Sequence, residues 1–381
     1  MHALHLSTWH PFIDGVSGTF VLEQCAALRD AGTDVGLVFA RIEGLRSLSP
    51  GRLLRARPGF VRLDSPVPTF GFKTFNIPGS RRAHRFLCEW ALRNRYQAYA
   101  RAIGKPDLLH AHVALEAGAA ARRIAKEMRL EYVVTEHSSE ILNGVKDARR
   151  KAAARKVYEG ARSVIAVSDL LAERISDICP TAPIRVIPNL VRDSVFELGR
   201  ATVQNVGKLV VVSIGGLVPG KRTQDAIAAI GGLPDTLKPR VEYHIVGEGP
   251  ENKRLKTLAH ERGVRTQFHG ALPHHDAMQL LSGADLLVHP SGYETFGLAI
   301  AEGLALGIPV VATRCGGPES FVISKVGRLV AVGDVSAMRE SIREILESRK
   351  DWSLQRGAIA NIARRRFHET VVAAAISEEY Q

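Results

Sequence analysis

The feature that most constrains this chain is an alternation of strand, loop and helix that runs twice and lapses once. The first series opens on Leu4-His5-Leu6-Ser7. Apolar residues then fall at helical spacing over 20–30 (Val21, Leu22, Cys25, Leu28), and Ala31-Gly32 stops that helix before Val35-Gly36-Leu37-Val38-Phe39 resumes a strand. The order recurs as a strand at 107–110, a helix at 114–126, a strand at 132–135, a strand at 164–167, a helix from Leu170 and a strand at 184–187. After Ile187-Pro188-Asn189 the periodicity stops until Lys208, and a second series begins. It reads as strands at 209–214, 242–246, 266–269, 285–289 and 309–312, with helices at 223–230, 252–262 and 296–306 between them. Parallel strands need a crossover that covers a face, so this alternation predicts an α/β chain of two doubly wound parallel sheets.

The expected organisation is a domain over 1–190, a polar interdomain linker over 191–207, a second domain over 208–361 and a C-terminal segment over 362–381. Residues 367–380 of that segment read as an amphipathic helix, and their pattern equally suits capping the second domain or crossing back to the first. In doubly wound sheets ligands bind beyond the strand carboxyl ends, so the loops there are the candidate sites.

The bulk properties agree. A length of 381 residues is long for one domain, and 45% hydrophobic with 24% charged residues excludes a disordered chain. No run of about 18 apolar residues occurs, so no transmembrane helix is expected, and the N-terminus reads as a first strand and not as a secretory signal. Cys25, Cys88, Cys179 and Cys315 lie far apart with no C-x-x-C pair, the usage of reduced thiols in a cytoplasmic protein. His274-His275 is the one adjacent histidine pair and reads as loop, so no metal site is expected.

The net charge of +12 is localised: between Arg41 and Lys105 there are fourteen basic residues against three acids. Phe60, Phe70, Phe72, Phe75, Phe86, Trp90, Tyr96 and Tyr99 are interleaved with those cations. Basic and aromatic residues together suit an anionic membrane surface, and an arginine-rich solvated face has the same composition. Nucleic acid is not expected as a partner, because no nucleic-acid-binding module is recognisable.

The most informative segment is His289-Pro290-Ser291-Gly292-Tyr293-Glu294-Thr295-Phe296-Gly297-Leu298-Ala299-Ile300-Ala301-Glu302. A buried strand ends at His289 and a helix is expected from about Phe296. The amides of Phe296, Gly297 and Leu298 would then be free for an anion, with the helix dipole favouring negative charge there. Glu302 lies about 9 Å along the helix at ~1.5 Å per residue, roughly the reach from a phosphate to its ribose. Two glutamates at a helix start also suit a cap and a solvated face. Val246-Gly247-Glu248-Gly249-Pro250 and Gly270-Ala271-Leu272 each follow a strand, as nucleotide-binding loops and ordinary tight turns both do. Ile214-Gly215-Gly216-Leu217-Val218-Pro219-Gly220-Lys221-Arg222 places two cations at another strand-to-helix junction.

In this order, these segments resemble retaining glycosyltransferase family 4, the glycosyl transferases group 1, whose signature is a glutamate pair separated by seven residues, here Glu294 and Glu302. Pro309-Val310-Val311-Ala312-Thr313-Arg314-Cys315-Gly316-Gly317-Pro318-Glu319, Gly327-Arg328-Leu329-Val330 and Val186-Ile187-Pro188-Asn189 are similar to it as well. The resemblance implies a GT-B fold, two facing Rossmann-like domains with a cleft between them, the N-terminal one holding the acceptor and the C-terminal one the nucleotide sugar. It implies that Glu294 contacts the transferred sugar, that Phe296, Gly297 and Leu298 hold the diphosphate, that Glu302 binds the ribose and that Lys221 pairs with the phosphates. Gly215, Arg222, Gly247, Gly249 and Leu272 join the donor site. Thr135-Glu136-His137-Ser138 resembles the family's strand-end histidine motif, which places His137 at the donor sugar; without the family, His137 reads as an ordinary loop residue. Gly15-Val16-Ser17-Gly18 stands where many members have two adjacent glycines, and Gly18-Thr19-Phe20-Val21-Leu22-Glu23-Gln24 resembles a variant of that loop, so Gly15 and Gly18 are carried over. One departure is Gly216, at a position where members usually carry arginine.

The resemblance further implies a metal-independent enzyme without a cofactor, moving a sugar from a nucleoside diphosphate sugar to an acceptor sugar, lipid-linked where the basic segment meets a membrane. Cell-surface polysaccharide or glycolipid assembly at the inner face of the cell membrane is the implied setting. The rival readings are a sugar-nucleotide epimerase on a similar scaffold and a non-catalytic paralogue that has lost its phosphate site at Gly216.

Overall fold

The computed structural model describes residues 1–11, 18–43, 58–64, 66–75, 81–200 and 207–381. The loop residue Gly15 and the parts of the basic segment at 44–57, 65 and 76–80 lie outside the described residues. The chain divides into two compact units, Met1–Leu190 with Glu369–Gln381, and Val191–His368.

In the first unit the strands are β1 (His2–Ser7), β2 (Asp34–Glu43), β3 (Gly59–Leu63), β4 (Thr69–Phe75), β5 (Leu108–His112), β6 (Glu131–Glu136), β7 (Ser163–Ala166) and β8 (Ile184–Val186). They form one sheet in the order β3-β4-β2-β1-β5-β6-β7-β8. Neighbours run parallel except the antiparallel pair β3–β4. The order reverses direction between β1 and β5, so the loops after these two strands flank a switch point.

The register sorts one face of this sheet into two zones. His5 lies beside His110, and His112 beside Thr135. At the amino ends of the strands the face carries Ala3, Leu108 and Val133, packed with Val35, Leu37 and Ile165 into one core. The helix Thr19–Asp30 adds Val21, Cys25 and Leu28 to that core, and the helix Glu369–Glu378 adds Val372, Ala373 and Ile376. Two residues further along the strands the same face becomes polar, with His5, His110, His112 and Thr135, all buried.

The second unit holds β9 (Leu209–Ile214), β10 (Val241–Val246), β11 (Thr266–Gly270), β12 (Leu286–His289), β13 (Val310–Thr313) and β14 (Gly327–Val330). Its sheet runs β11-β10-β9-β12-β13-β14, parallel throughout, with the switch between β9 and β12. Leu286-Leu287-Val288-His289 and Val310-Val311-Ala312-Thr313 are buried along their whole length, as strands covered on both faces must be. Among the described residues no helix is long and apolar enough to cross a membrane.

Several expectations change. The stretch read as a linker begins with a helix, Asp193–Arg200, which buries Val195 and Phe196 in the second unit; Val195, Phe196 and Leu198 in an eight-residue helix are too short a run to read as a periodicity. The helix read at 367–380 is present as Glu369–Glu378, set off by a break at His368 from the helix Arg349–Phe367, and the chain rejoins the first unit at Glu369 and not at 362. His274-His275 opens a helix, His274–Ser282, and is not loop. The helix read from 114 starts at Ala119: Val113 (φ 71°) and Glu116 (φ 60°) take left-handed dihedrals ahead of it. The basic helix Arg81–Ala102 and the β3–β4 pair went unread.

Because Ile376 is buried in the core of the first unit, Ile376→Ala should cost about 2–4 kcal/mol of that unit's stability. Hydrogen exchange should show the loss in amides of Met1–Leu190 and Glu369–Gln381, with those of Val191–His368 unchanged.

Candidate active site

The loops after β9 and β12 are held together by side chains that are missing. A Cβ on Gly220 would sit 2.8 Å from the Tyr293 ring, and the Gly292 amide donates to the Gly220 carbonyl at 2.8 Å. Gly317 admits the Phe296 backbone in the same way, since a Cβ there would meet the Phe296 carbonyl oxygen at 2.3 Å. The turn containing Glu294 is thereby fixed between two neighbours, and its backbone pairs with Cys315 and Gly317.

In this frame the Lys221 ammonium donates to Glu294 Oε1 at 2.5 Å, and His289 Nε2 lies 2.7 Å from the same oxygen. Burial pushes the Glu294 carboxyl up. The His289 hydrogen bond and the Lys221 charge outweigh it and hold the group at about 2. Glu294 Oε2 takes no hydrogen bond among the described residues, so this ionised carboxylate keeps one oxygen for a hydroxyl donor.

The helix expected from Phe296 begins at Leu298, with Gly297 as its N-cap at φ 95°. No protein acceptor faces the amides of Gly297, Leu298 and Ala299 among the described residues, while the next two amides return to the Gly297 carbonyl. Four residues into the helix, the carboxylate of the buried Glu302 meets one partner among the described residues, His274, whose Nε2 is 2.6 Å from Oε1.

The glycine loops serve the protein itself. A Cβ on Gly247 would meet the Gly215 carbonyl oxygen at 1.9 Å, and one on Gly249 the Leu217 carbonyl oxygen at 2.2 Å. Gly216, by contrast, has room for a side chain, since a Cβ there finds only the Glu248 carbonyl oxygen at 3.8 Å. Arg222 is held by Asp225 at 2.7 Å and lies along Gly292 and Gly333. Leu272 is half-buried two residues before His274.

In the first unit His137 follows β6 and packs against Trp9 and Phe20. Gly18 is adjacent, because a Cβ on it would strike the Trp9 backbone at 2.7 Å. The buried Glu136 fixes this loop: its carboxylate accepts from the amides of Ala114, His137 and Ser138 and from the Tyr158 hydroxyl. Burial pushes its pKa up against those four donors. His112 Nδ1 lies 3.3 Å from His137 Nε2, and His112 continues to His5 and beyond. Burial holds His137, His5 and His110 well below the usual histidine range and His112 at about 3, so these rings are neutral.

A cavity of about 340 Å³ opens at the β1–β5 switch, lined among others by Trp9, Arg41, His84, Glu116, Glu140 and Arg150. Arg150 bridges Glu140 and Glu116 across it.

The structure thus gathers Lys221, Glu294 and the amides from Gly297 onward, and sets Glu302 one helical turn away. Sequence reasoning missed His289, Glu136 and His112. The alternation His110-Ala111-His112 in a strand was a readable signal for the last, and Glu136 sits inside the motif already singled out.

Two sequence-family models match the chain in succession, Glycosyltransferase Family 4 over residues 17–195 and Glycosyl transferases group 1 over residues 196–366. The chain is 30% identical over 246 residues to a putative teichuronic acid biosynthesis glycosyltransferase, TuaC, of Bacillus subtilis, covering 62% of this chain and 60% of that one. It is 32% identical over 179 residues to the lipopolysaccharide core biosynthesis glycosyltransferase LpsE of Rhizobium meliloti, covering 46% of this chain and 51% of the relative. The match therefore spans between half and two thirds of these relatives' length. Among solved structures, HepE of Anabaena in complex with UDP and glucose shares the fold at a TM-score of 0.74 and 21% identity, covering 100% of this chain and 99% of that one.

If two donors share Glu294 Oε1, removing one should relax its pKa. In Lys221→Met the Glu294 pKa should rise, because burial is then opposed by His289 alone. A depressed carboxylate pKa stabilises the fold above the ordinary value of 4.5 and ceases to do so as pH falls toward about 2. The stability advantage of the wild type over Lys221→Met should therefore be largest above pH 4.5 and shrink on acidification, as urea unfolding at a series of pH values will record.

Proposed function

This chain belongs to glycosyltransferase family 4, and we propose that it transfers a sugar, with retained anomeric configuration, from a nucleoside diphosphate sugar to an acceptor in cell-surface polysaccharide or glycolipid assembly. The observation that carries the reading is the Lys221–Glu294–His289 cluster beside the open amides at Gly297, Leu298 and Ala299.

An anion at those amides meets a helix N-terminus and, in Lys221, a full positive charge. The departing diphosphate is the group that gains charge as the bond from the anomeric carbon to its phosphate oxygen breaks. Lys221 and the amides stabilise it there. The acceptor oxygen forms its bond to the anomeric carbon on the same face, and its proton passes to the departing diphosphate. Glu294 Oε2 accepts from hydroxyls of the transferred sugar and Glu302 Oε2 from the ribose. Gly215, Arg222, Gly247, Gly249 and Leu272 complete the donor site. With these cations and amides carrying the leaving-group charge, the reaction needs no divalent metal. The side-chain-sized space at Gly216 is the weak point of the phosphate site, and a non-catalytic paralogue is the reading it favours.

The acceptor fits the cavity at the β1–β5 switch, where Trp9 offers a ring face to a sugar and Glu116 and Glu140 offer acceptors to its hydroxyls. Phe60, Phe86 and Trp90 are exposed within the basic segment, and the Arg95 guanidinium stacks on Phe60 at 3.8 Å. A lipid-linked acceptor at an anionic membrane face suits that surface.

Calorimetric titration with UDP, GDP and ADP in chelator-treated buffer tests the donor site: one nucleotide should bind at micromolar affinity and Glu302→Ala should weaken it about tenfold or more. Binding of none of the three, or binding restored only by magnesium, would overturn the metal-free donor site. In flotation, the chain should rise with vesicles containing anionic lipid and stay behind with neutral ones. Equal behaviour with both removes the membrane-bound acceptor.

A further inference from the structure

Among the described residues, His137 ends an unbranched row of buried groups. Thr135 Oγ1 lies 2.6 Å from His110 Nε2, and His110 Nδ1 lies 2.6 Å from the Tyr380 hydroxyl. That hydroxyl is 3.1 Å from His5 Nε2, His5 Nδ1 is 3.0 Å from His112 Nε2, and His112 Nδ1 is 3.3 Å from His137 Nε2. Thr135, His110, Tyr380, His5 and His112 are buried at 2% exposure or less, whereas His137 reaches 9%. The register of β1, β5 and β6 creates the row, and the segment after the helix Glu369–Glu378 inserts Tyr380 into it.

A neutral imidazole has one N–H and one lone pair, so each ring here gives one hydrogen bond and takes one. In an unbranched row, the direction of any single bond then sets all the others. Two directions exist, and they differ at the blind end. Thr135 Oγ1 has His110 as its one hydrogen-bond partner among the described residues. If Thr135 accepted, its own O–H would be a buried donor with nothing to meet; if it donates, only lone pairs go unused, which is the cheaper deficiency.

We propose that the row runs one way, from Thr135 through His110, Tyr380, His5 and His112 to His137, and fixes His137 as the Nδ1–H tautomer, so that it offers a hydrogen-bond donor and not a base. His5, His110, His112, Thr135 and Tyr380 are then positioning residues that act through His137. The direction of the row stands on the hydrogen bonds alone; its consequence for catalysis, donation to an oxygen of the donor sugar, rests on the transferase reading. The assignment is specific, because all four histidines of the row are placed in the Nδ1–H form, whereas free histidine favours Nε2–H.

Long-range proton–nitrogen correlation spectra of the full chain labelled with 15N-histidine test it, each signal assigned by its loss in a single substitution. The expected spectrum has protonated-type Nδ1 and unprotonated-type Nε2 for His5, His110, His112 and His137. An Nε2–H signal for His137 in the wild type overturns the proposal. Tyr380→Phe cuts the row between His110 and His5. His110 then loses the acceptor at Nδ1, and each of its tautomers leaves one donor unmet (its own N–H or the Thr135 hydroxyl), so the variant is read at His5, His112 and His137. His5 needs no partner for its bare Nε2, so His5, His112 and His137 keep the Nδ1–H form. A flip of His137 in this variant also overturns the proposal, because it would strand a buried N–H at His5 Nε2, against the donor count that sets the direction. Turnover separates the two readings. His137→Asn, which carries an N–H near the place of Nδ1, should keep donor kcat/KM near wild type, while His137→Ala lowers it about 2- to 10-fold. The expected tautomers with no such kinetic difference would leave the row intact and remove His137 from the sugar site.

Discussion

A parallel sheet must be re-entered from the same end for every strand, and most of this molecule derives from that requirement. Each return path covers a face, and each carboxyl end opens into a loop whose backbone has no ladder to join. Where the strand order reverses, at β1 and β5 in one unit and β9 and β12 in the other, two such loops leave neighbouring strands in opposite directions. In the second unit that space is filled by backbone stacked on backbone. Gly247 lies on the Gly215 carbonyl, Gly249 on that of Leu217, and Gly220 under the Tyr293 ring. Lys221 and Glu294 are 73 positions apart in the chain, and they meet because glycines strip the side chains that would hold their loops apart.

The same logic accounts for what could be read from the sequence and what could not. Buried strands such as Leu209–Ile214 and Leu286–His289 announce themselves as apolar runs, and the two doubly wound sheets follow from their alternation with helices. The helix Arg81–Ala102 is basic on much of its surface and hides its few buried positions, Cys88, Ala91, Leu92, Tyr96 and Tyr99, among arginines. Lys221, Glu294 and Glu302 were legible as charges placed at strand and helix ends. His289 was not, because a histidine closing an apolar strand reads as part of the core. The row behind His137 depends on which strands are neighbours: β1 lies beside β5 although more than a hundred residues separate His5 from His110, and only the fold supplies that register. Gly247 and Gly249 were legible as glycines but not as to cause, since they admit backbone from their own chain.

Two carboxylates, Glu136 in the first unit and Glu294 in the second, are held by opposite means. Among the described residues Glu136 is a carboxylate with four donors and no cation among its hydrogen-bond partners, and the histidine row is neutral throughout. Fixed dipoles of that kind hold a geometry without needing a counter-charge to arrive or leave. In the second, the polar centre is an ion pair, and its carboxylate is doubly served on one oxygen.

That duplication bears on how a cation can be both structural and available. Breaking a buried ion pair by withdrawing one partner ordinarily strands the other charge at a cost of about 3–5 kcal/mol. Glu294 escapes most of this penalty, because His289 remains 2.7 Å from the oxygen that Lys221 holds. Lys221 is also the more exposed partner, 30% against 13% for the Glu294 side chain, so its ammonium has solvent on one side. A lysine in that position can turn toward an incoming anion while the carboxylate stays ionised and hydrogen-bonded. The single-donor alternative would either lock the lysine or leave the glutamate to take up a proton. The second donor on Glu294 Oε1 therefore does for the ion pair what glycine does for the loops, allowing two groups to meet without committing either one fully to the other.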